Sequence, residues 1–118
     1  MKAFIVTETV SLFELFQELL SQFGYEAIMV SDQNRLKFFR NTAGADIIIV
    51  VGLMNKPFDE VVAFFKSLRT DWPENPVFWL TDYNQPEPKC LIDLNVVSLP
   101  QLEIVDSVEK MMDTIRKK

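Results

Sequence analysis

The sequence predicts an α/β domain built on a five-stranded, doubly wound parallel sheet with strand order 2-1-3-4-5, and three observations lead there. Within the run Ala45-Asp46-Ile47-Ile48-Ile49-Val50-Val51-Gly52-Leu53, the stretch from Ile47 to Val51 is an unbroken apolar, β-branched segment ending at a glycine, the signature of a strand buried on both faces. Shorter apolar runs flank it on either side and alternate with stretches of helical periodicity. The connections between runs are too short for anything but right-handed crossovers.

Taken in order, Ala3-Phe4-Ile5-Val6 reads as the first strand and the polar triplet Thr7-Glu8-Thr9 as the loop after it. Ser11 followed by Glu14 has the spacing of a capping box, which places a helix start there. Leu12, Phe16, Leu19, Leu20 and Phe23 fall on one face of that helix, and Gly24 is its natural stop. Tyr25 to Val30 reads as the second strand. Asp32 is placed to cap a short helix that carries Leu36 and Phe39 inward, and residues 41–44 turn the chain into the central strand. Pro57 stands where the next helix can begin, with Val61, Phe64, Phe65 and Leu68 on its buried side. The stretch Trp72-Pro73-Glu74-Asn75-Pro76 is a rigid link into the fourth strand, Val77-Phe78-Trp79-Leu80-Thr81. Two prolines, Pro86 and Pro88, oppose a helix in the following segment, which leaves only a stub around Lys89 to Asp93. Val96-Val97-Ser98 is the last strand, and Leu102, Val105, Val108, Met111, Met112 and Ile115 line a final amphipathic helix whose basic end suits its dipole.

Composition narrows the function classes. At 118 residues and 48% hydrophobic, the chain reads as one domain, 1–118, with one core. Ten Phe in so short a chain predict some exposed aromatic surface, with Phe38 or one of the Phe64-Phe65 pair as its carrier. The net charge of −5 argues against a nucleic-acid surface, and Arg35, Lys37 and Arg40 read as the solvated face of a short helix. A single cysteine, Cys90, and the absence of His exclude an internal disulfide and a zinc-type site. With only Lys89 adjoining it, that thiol reads as a bystander. The amino-terminal apolar run is too short for a signal peptide or a membrane span. The expectation is a cytoplasmic protein without a membrane segment.

The order of elements and several short motifs make the chain resemble the receiver domain of bacterial two-component response regulators, the CheY-like members of the flavodoxin-like fold class. The resemblance spans almost the whole chain. It is carried by Phe4-Ile5-Val6 before an acidic loop, by residues 18–25 around Gly24, by Ala45 to Val50, by Pro76 to Thr81 and by the dipeptide Leu99-Pro100. A working receiver takes a phosphoryl group on an aspartate that closes strand three. It binds Mg²⁺ through that aspartate and an acidic pair after strand one, and it senses the phosphate with a Ser/Thr after strand four and a Lys after strand five. Transferred residue by residue, the resemblance puts the acidic pair on Thr7 and Glu8, the phosphoacceptor on Val51, the hydroxyl on Thr81 and the lysine on Leu99. Pro100 matches the family's proline after the lysine, which implies a cis peptide before it. The inward-moving aromatic of strand five corresponds to Val96, and the helix between strands four and five is reduced.

A Mg²⁺ ion needs near-octahedral oxygen coordination, and Glu8 alone cannot supply it. Val51 offers no nucleophile, and without a lysine at Leu99 nothing answers the charge of about −1.5 to −2 that a phosphoryl group brings. The expectation is a degenerate pocket made of Thr7, Glu8, Val51, Thr81, Leu99 and Pro100, with no catalytic residue, cofactor or metal. The chain then reads as a non-catalytic pseudo-receiver: a phosphorylation-independent protein-interaction module in bacterial signal transduction, with protein partners, self-association included, and no nucleic acid or membrane. Its partner surfaces would be the first and last helices and the strand-five edge. An alternative resemblance is to the amino-terminal wing, or assembly, domain of pyridoxal-phosphate-dependent ornithine, lysine or arginine decarboxylases. Thr81 also has a local reading, as a strand-end hydroxyl bonded to nearby backbone, and Glu8 with Asp82 has one as solvated caps. A small-ligand sensor using the strand-end crevice is a third reading. No glycine-rich phosphate loop or nucleophile elbow supports an enzyme.

Overall fold

The computed structural model describes residues 1–31, 46–51, 57–81, 89–100 and 104–116. The expectations placed on Asp32, Arg35, Leu36, Lys37, Phe38, Phe39, Arg40, Gly52, Asp82, Pro86, Pro88 and Leu102 lie outside these residues, as do those on the side chains of Lys89, Cys90 and Pro100. In chain order the described elements are β1 (Lys2–Val6), α1 (Val10–Ser21), β2 (Glu26–Val30), β3 (Ile47–Val51), α2 (Phe58–Asp71), β4 (Val77–Thr81), α3 (Lys89–Asp93), β5 (Val96–Pro100) and α4 (Ile104–Arg116). The strands form one sheet in the order β2-β1-β3-β4-β5, with every pairing parallel.

Strand character follows burial. Every residue of β3 and β4 is buried, because parallel strands in the middle of the sheet have helices over both faces. Alternate side chains divide the core in two. On one face Ala3, Ile5, Ile49, Val51, Phe78 and Leu80 pack with Phe16 and Leu20 of α1 and with Val108, Met111 and Met112 of α4. On the other, Phe4, Ile48, Val50, Val77, Trp79 and Val96 pack with Val61, Phe65 and Leu68 of α2 and with Leu91 of α3. Aromatic edges join that second layer: Phe4 meets Trp72 at 5.6 Å and 88°, and Phe65 meets Trp79 at 5.6 Å and 59°.

The start of α1 differs from the capping-box reading. The helix begins at Val10 with Thr9 as its N-cap and no side-chain cap bond, so Ser11 already lies inside the first turn. The hydroxyl that shapes this corner belongs to Thr7, which accepts the Thr9 backbone N–H at 3.2 Å and bends the chain off the strand end. The other end of α1 is as the sequence predicts. Tyr25 N–H donates to the Leu20 carbonyl and Gly24 N–H to that of Ser21. Gly24 supplies the positive φ, +84°, that this closure requires. Tyr25 therefore ends the helix instead of opening β2.

Two further expectations need correction. Val105 is 54% exposed, although its spacing placed it with the buried stripe of α4. It sits at the outer margin of that stripe in the first turn, and the small side chain of Ser107 is buried at the inner margin instead. The Phe64-Phe65 pair does not supply the exposed aromatic surface. Phe65 is buried, and half-buried Phe64 packs edge-on against it at 5.2 Å. The exposed large apolar side chains among the described residues are Met1, Val10, Leu15, Ile92 and Val105, none of them aromatic. Among the described residues no helix is long and apolar enough to cross a membrane.

Candidate functional site

In an open parallel sheet the crevice that can hold a ligand lies beyond the carboxyl ends of the central strands. Here those ends belong to β1, β3, β4 and β5. Val6 pairs with Val50, Val51 with Leu80, Leu80 with Leu99, and Thr81 with Pro100. Thr7, one residue past the Val6–Val50 pair, therefore stands level with Val51. The register brings Thr7, Val51, Thr81, Leu99 and Pro100 to one edge of the sheet, with Glu8 on the loop just beyond it.

Most of this edge is core. Val51 is 8% exposed and belongs to the cluster under α1 and α4, as does Leu80, and half-buried Leu99 packs against the same cluster. The three side chains form a continuous apolar row across β3, β4 and β5. Thr7 and Thr81 are buried hydroxyls at either side of it. The Thr7 N–H donates to Val30 O at 3.1 Å, and its Oγ1 accepts from Thr9 N–H, which ties this residue to its own corner. Glu8 is exposed.

The described donors here fall short of what a Mg²⁺ ion takes. Among the described residues the edge offers one solvent-facing carboxylate and two threonine hydroxyls, while a small hard cation needs several converging oxygens, carboxylates foremost. No group of three or more acidic or cysteine side chains gathers among the described residues.

Two described groups away from this edge, Tyr25 and Arg69, have shifted pKa values. Near the amino-terminal end of the sheet, Lys2 N–H donates to Asp46 Oδ2 at 2.7 Å and Asp46 N–H returns a bond to the Lys2 carbonyl at 2.8 Å. Burial, and secondarily the Asp46 carboxylate, push the Tyr25 phenol above its usual range. A phenol whose folded value exceeds its unfolded value of about 10 leaves stability intact below pH ~10 and removes it as pH rises through the folded value. Denaturation midpoints followed from pH 9 to 12 are expected to fall with pH, and Tyr25→Phe to flatten that fall. Between about pH 5.5 and 7 the midpoint is expected to stay level, since the chain has no His.

No protein-family model matches the sequence, and no curated protein matches it. Solved structures do. A CheY-like response-regulator receiver domain from Methylobacillus flagellatus superposes with a TM-score of 0.78 over 98% of both chains, at 22% identity. A two-component response regulator from Clostridium difficile superposes at 0.74, again over 98% of both chains, at 13% identity. The response regulator RcsB of Salmonella typhimurium reaches 0.80 over 99% of this chain and 60% of its own, at 16% identity.

The fold is that of a receiver domain.

Within this fold, Val51 holds the last position of the central strand β3. Between β4 and β5 the described helical residues are Lys89–Asp93, while the two-proline segment before them lies outside the described residues. The cis peptide expected before Pro100 is not there, since no cis bond occurs among the described residues. Pro100 instead extends β5 by pairing with Thr81, and a strand that continues through the residue keeps its peptides trans. Proline is tolerated because β5 is an edge strand and needs no donor on its outer side. Val96 is buried in the second layer.

Proposed function

We propose that this chain is a pseudo-receiver: a non-catalytic, phosphorylation-independent protein-interaction module in bacterial cytoplasmic signal transduction. The observation that carries the reading is the apolar row Val51, Leu80 and Leu99 across the carboxyl ends of β3, β4 and β5. A phosphoryl group delivered there would meet a side chain with no nucleophilic atom, next to oily neighbours that cannot balance its charge. Thr7, Glu8, Thr81 and Pro100 are then the remainder of a degenerate pocket, the two threonines serving local backbone and packing. With no chemical input, what such a domain has to offer a partner protein is its surface: the outer faces of α1 and α4 and the open edge of β5.

The reading is tested by nuclear magnetic resonance with Mg²⁺ and beryllofluoride, a phosphoryl mimic, added to the labelled protein. Amide signals of Thr7, Val51 and Thr81 are expected to stay in place through millimolar additions. Saturable shifts centred on these residues would refute it.

A further inference from the structure

Arg69, in the last turn of α2, binds backbone from three separate stretches of chain. Its Nε donates to the carbonyl of Leu94 at 2.7 Å, one Nη to the carbonyls of Trp72 at 3.0 Å and Asn75 at 2.6 Å, and the other Nη to that of Asn95 at 2.8 Å. The first two stretches are the end of α2 and the approach to β4. The third is the turn between α3 and β5. A guanidinium suits this work because its donors form a rigid planar fork that remains charged even where burial lowers its pKa, as it does here.

The turn it grips is unusual in its own right. Asn95 has a φ of +58°, the left-handed region, and its N–H closes back on the Ile92 carbonyl at 2.9 Å. Of the helix before it, α3, the described residues are Lys89–Asp93. Its described anchors are Leu91, fully buried in the second core layer, and the carbonyls that Arg69 holds just past its end. Ile92, between those anchors, is 54% exposed.

We propose that Arg69 is a conformational lock that fixes α3 and the start of β5, the open edge of the sheet, in a single position. The proposal takes its meaning from the phosphorylation-independent reading above: a module without a chemical input must already stand in its presenting form. Its geometry does not depend on that reading.

The test is amide exchange and relaxation dispersion on the whole chain, wild type against Arg69→Lys and Arg69→Ala. Wild-type amides from Leu91 to Val97 are expected to show no microsecond-to-millisecond exchange. Arg69→Lys keeps the charge but loses the fork, and is expected to stay folded while amide exchange in 91–97 accelerates at least about tenfold and those in β1 and β3 hold still. Should Arg69→Ala fail to fold, the lysine variant carries the result. Dispersion at 91–97 in the wild type would overturn the proposal. So would uniform acceleration across the sheet in the lysine variant, which marks a purely structural residue, or no change at 91–97. Shifts with beryllofluoride beside a rigid 91–97 would refute the functional reading and leave the lock standing; the opposite pair of results would do the reverse.

Discussion

Trp79→Ala is expected to cost about 4 kcal/mol of folding stability, near the middle of the range for removing a buried tryptophan. Trp79 is 2% exposed in the fully buried strand β4. Its ring packs on Phe65 of α2, and the layer around it includes Phe4, Val50, Leu91 and Val96. The cavity left by alanine would open between the sheet and two helices, and β4 cannot collapse into it while β3 and β5 hold its backbone in register. For a domain of this size, with total stability of about 5–15 kcal/mol, such a loss lowers the melting temperature by roughly 15 °C. Val105→Ala makes the contrast. That side chain faces water, and its truncation is expected to move stability by no more than about 0.5 kcal/mol. Urea melts of the two variants, read against the wild type at constant m-value, check both.

Val51→Asp is expected to destabilise the fold by about 3 kcal/mol at neutral pH, because it places a carboxylate in a buried row that contains no cation. The burial raises the carboxyl pKa above its unfolded value. The variant should therefore approach wild-type stability as pH falls below about 4 and lose ground as pH rises. Adding Leu99→Lys to it supplies the missing charge two strands away. A double-mutant cycle is expected to return at least about 1 kcal/mol of coupling. If Val51→Asp alone is neutral at pH 7, the edge is wetter than the apolar row implies.

The alternation of apolar runs and helical stretches was enough to read the strand order, because parallel strands buried on both faces leave few other solutions. The end of the central strand could also be read, since Ile47 to Val51 is a β-branched apolar run that stops at Gly52. The failures share a cause. The Ser11 and Glu14 spacing is a local pattern, and it lost to a hydroxyl four residues upstream, Thr7, whose bond to Thr9 depends on where β1 ends. Val105 satisfied helical spacing but stands beyond the packed part of the face, and spacing carries no information about how far a helix overhangs its sheet. The peptide before Pro100 follows the extension of β5 and not the family habit. Arg69 escaped notice because its partners are backbone carbonyls, up to 26 residues away in sequence. A charged residue in the last turn of a helix looks the same whether it faces solvent or grips the backbone of two loops.

The most direct measurement is the intact mass of the protein after incubation with acetyl phosphate and Mg²⁺. An unchanged mass is expected, since the residue that closes the third strand has no atom able to take the group. Stoichiometric gain of one phosphoryl group, mapped to the carboxyl edge of the sheet, would contradict the central claim.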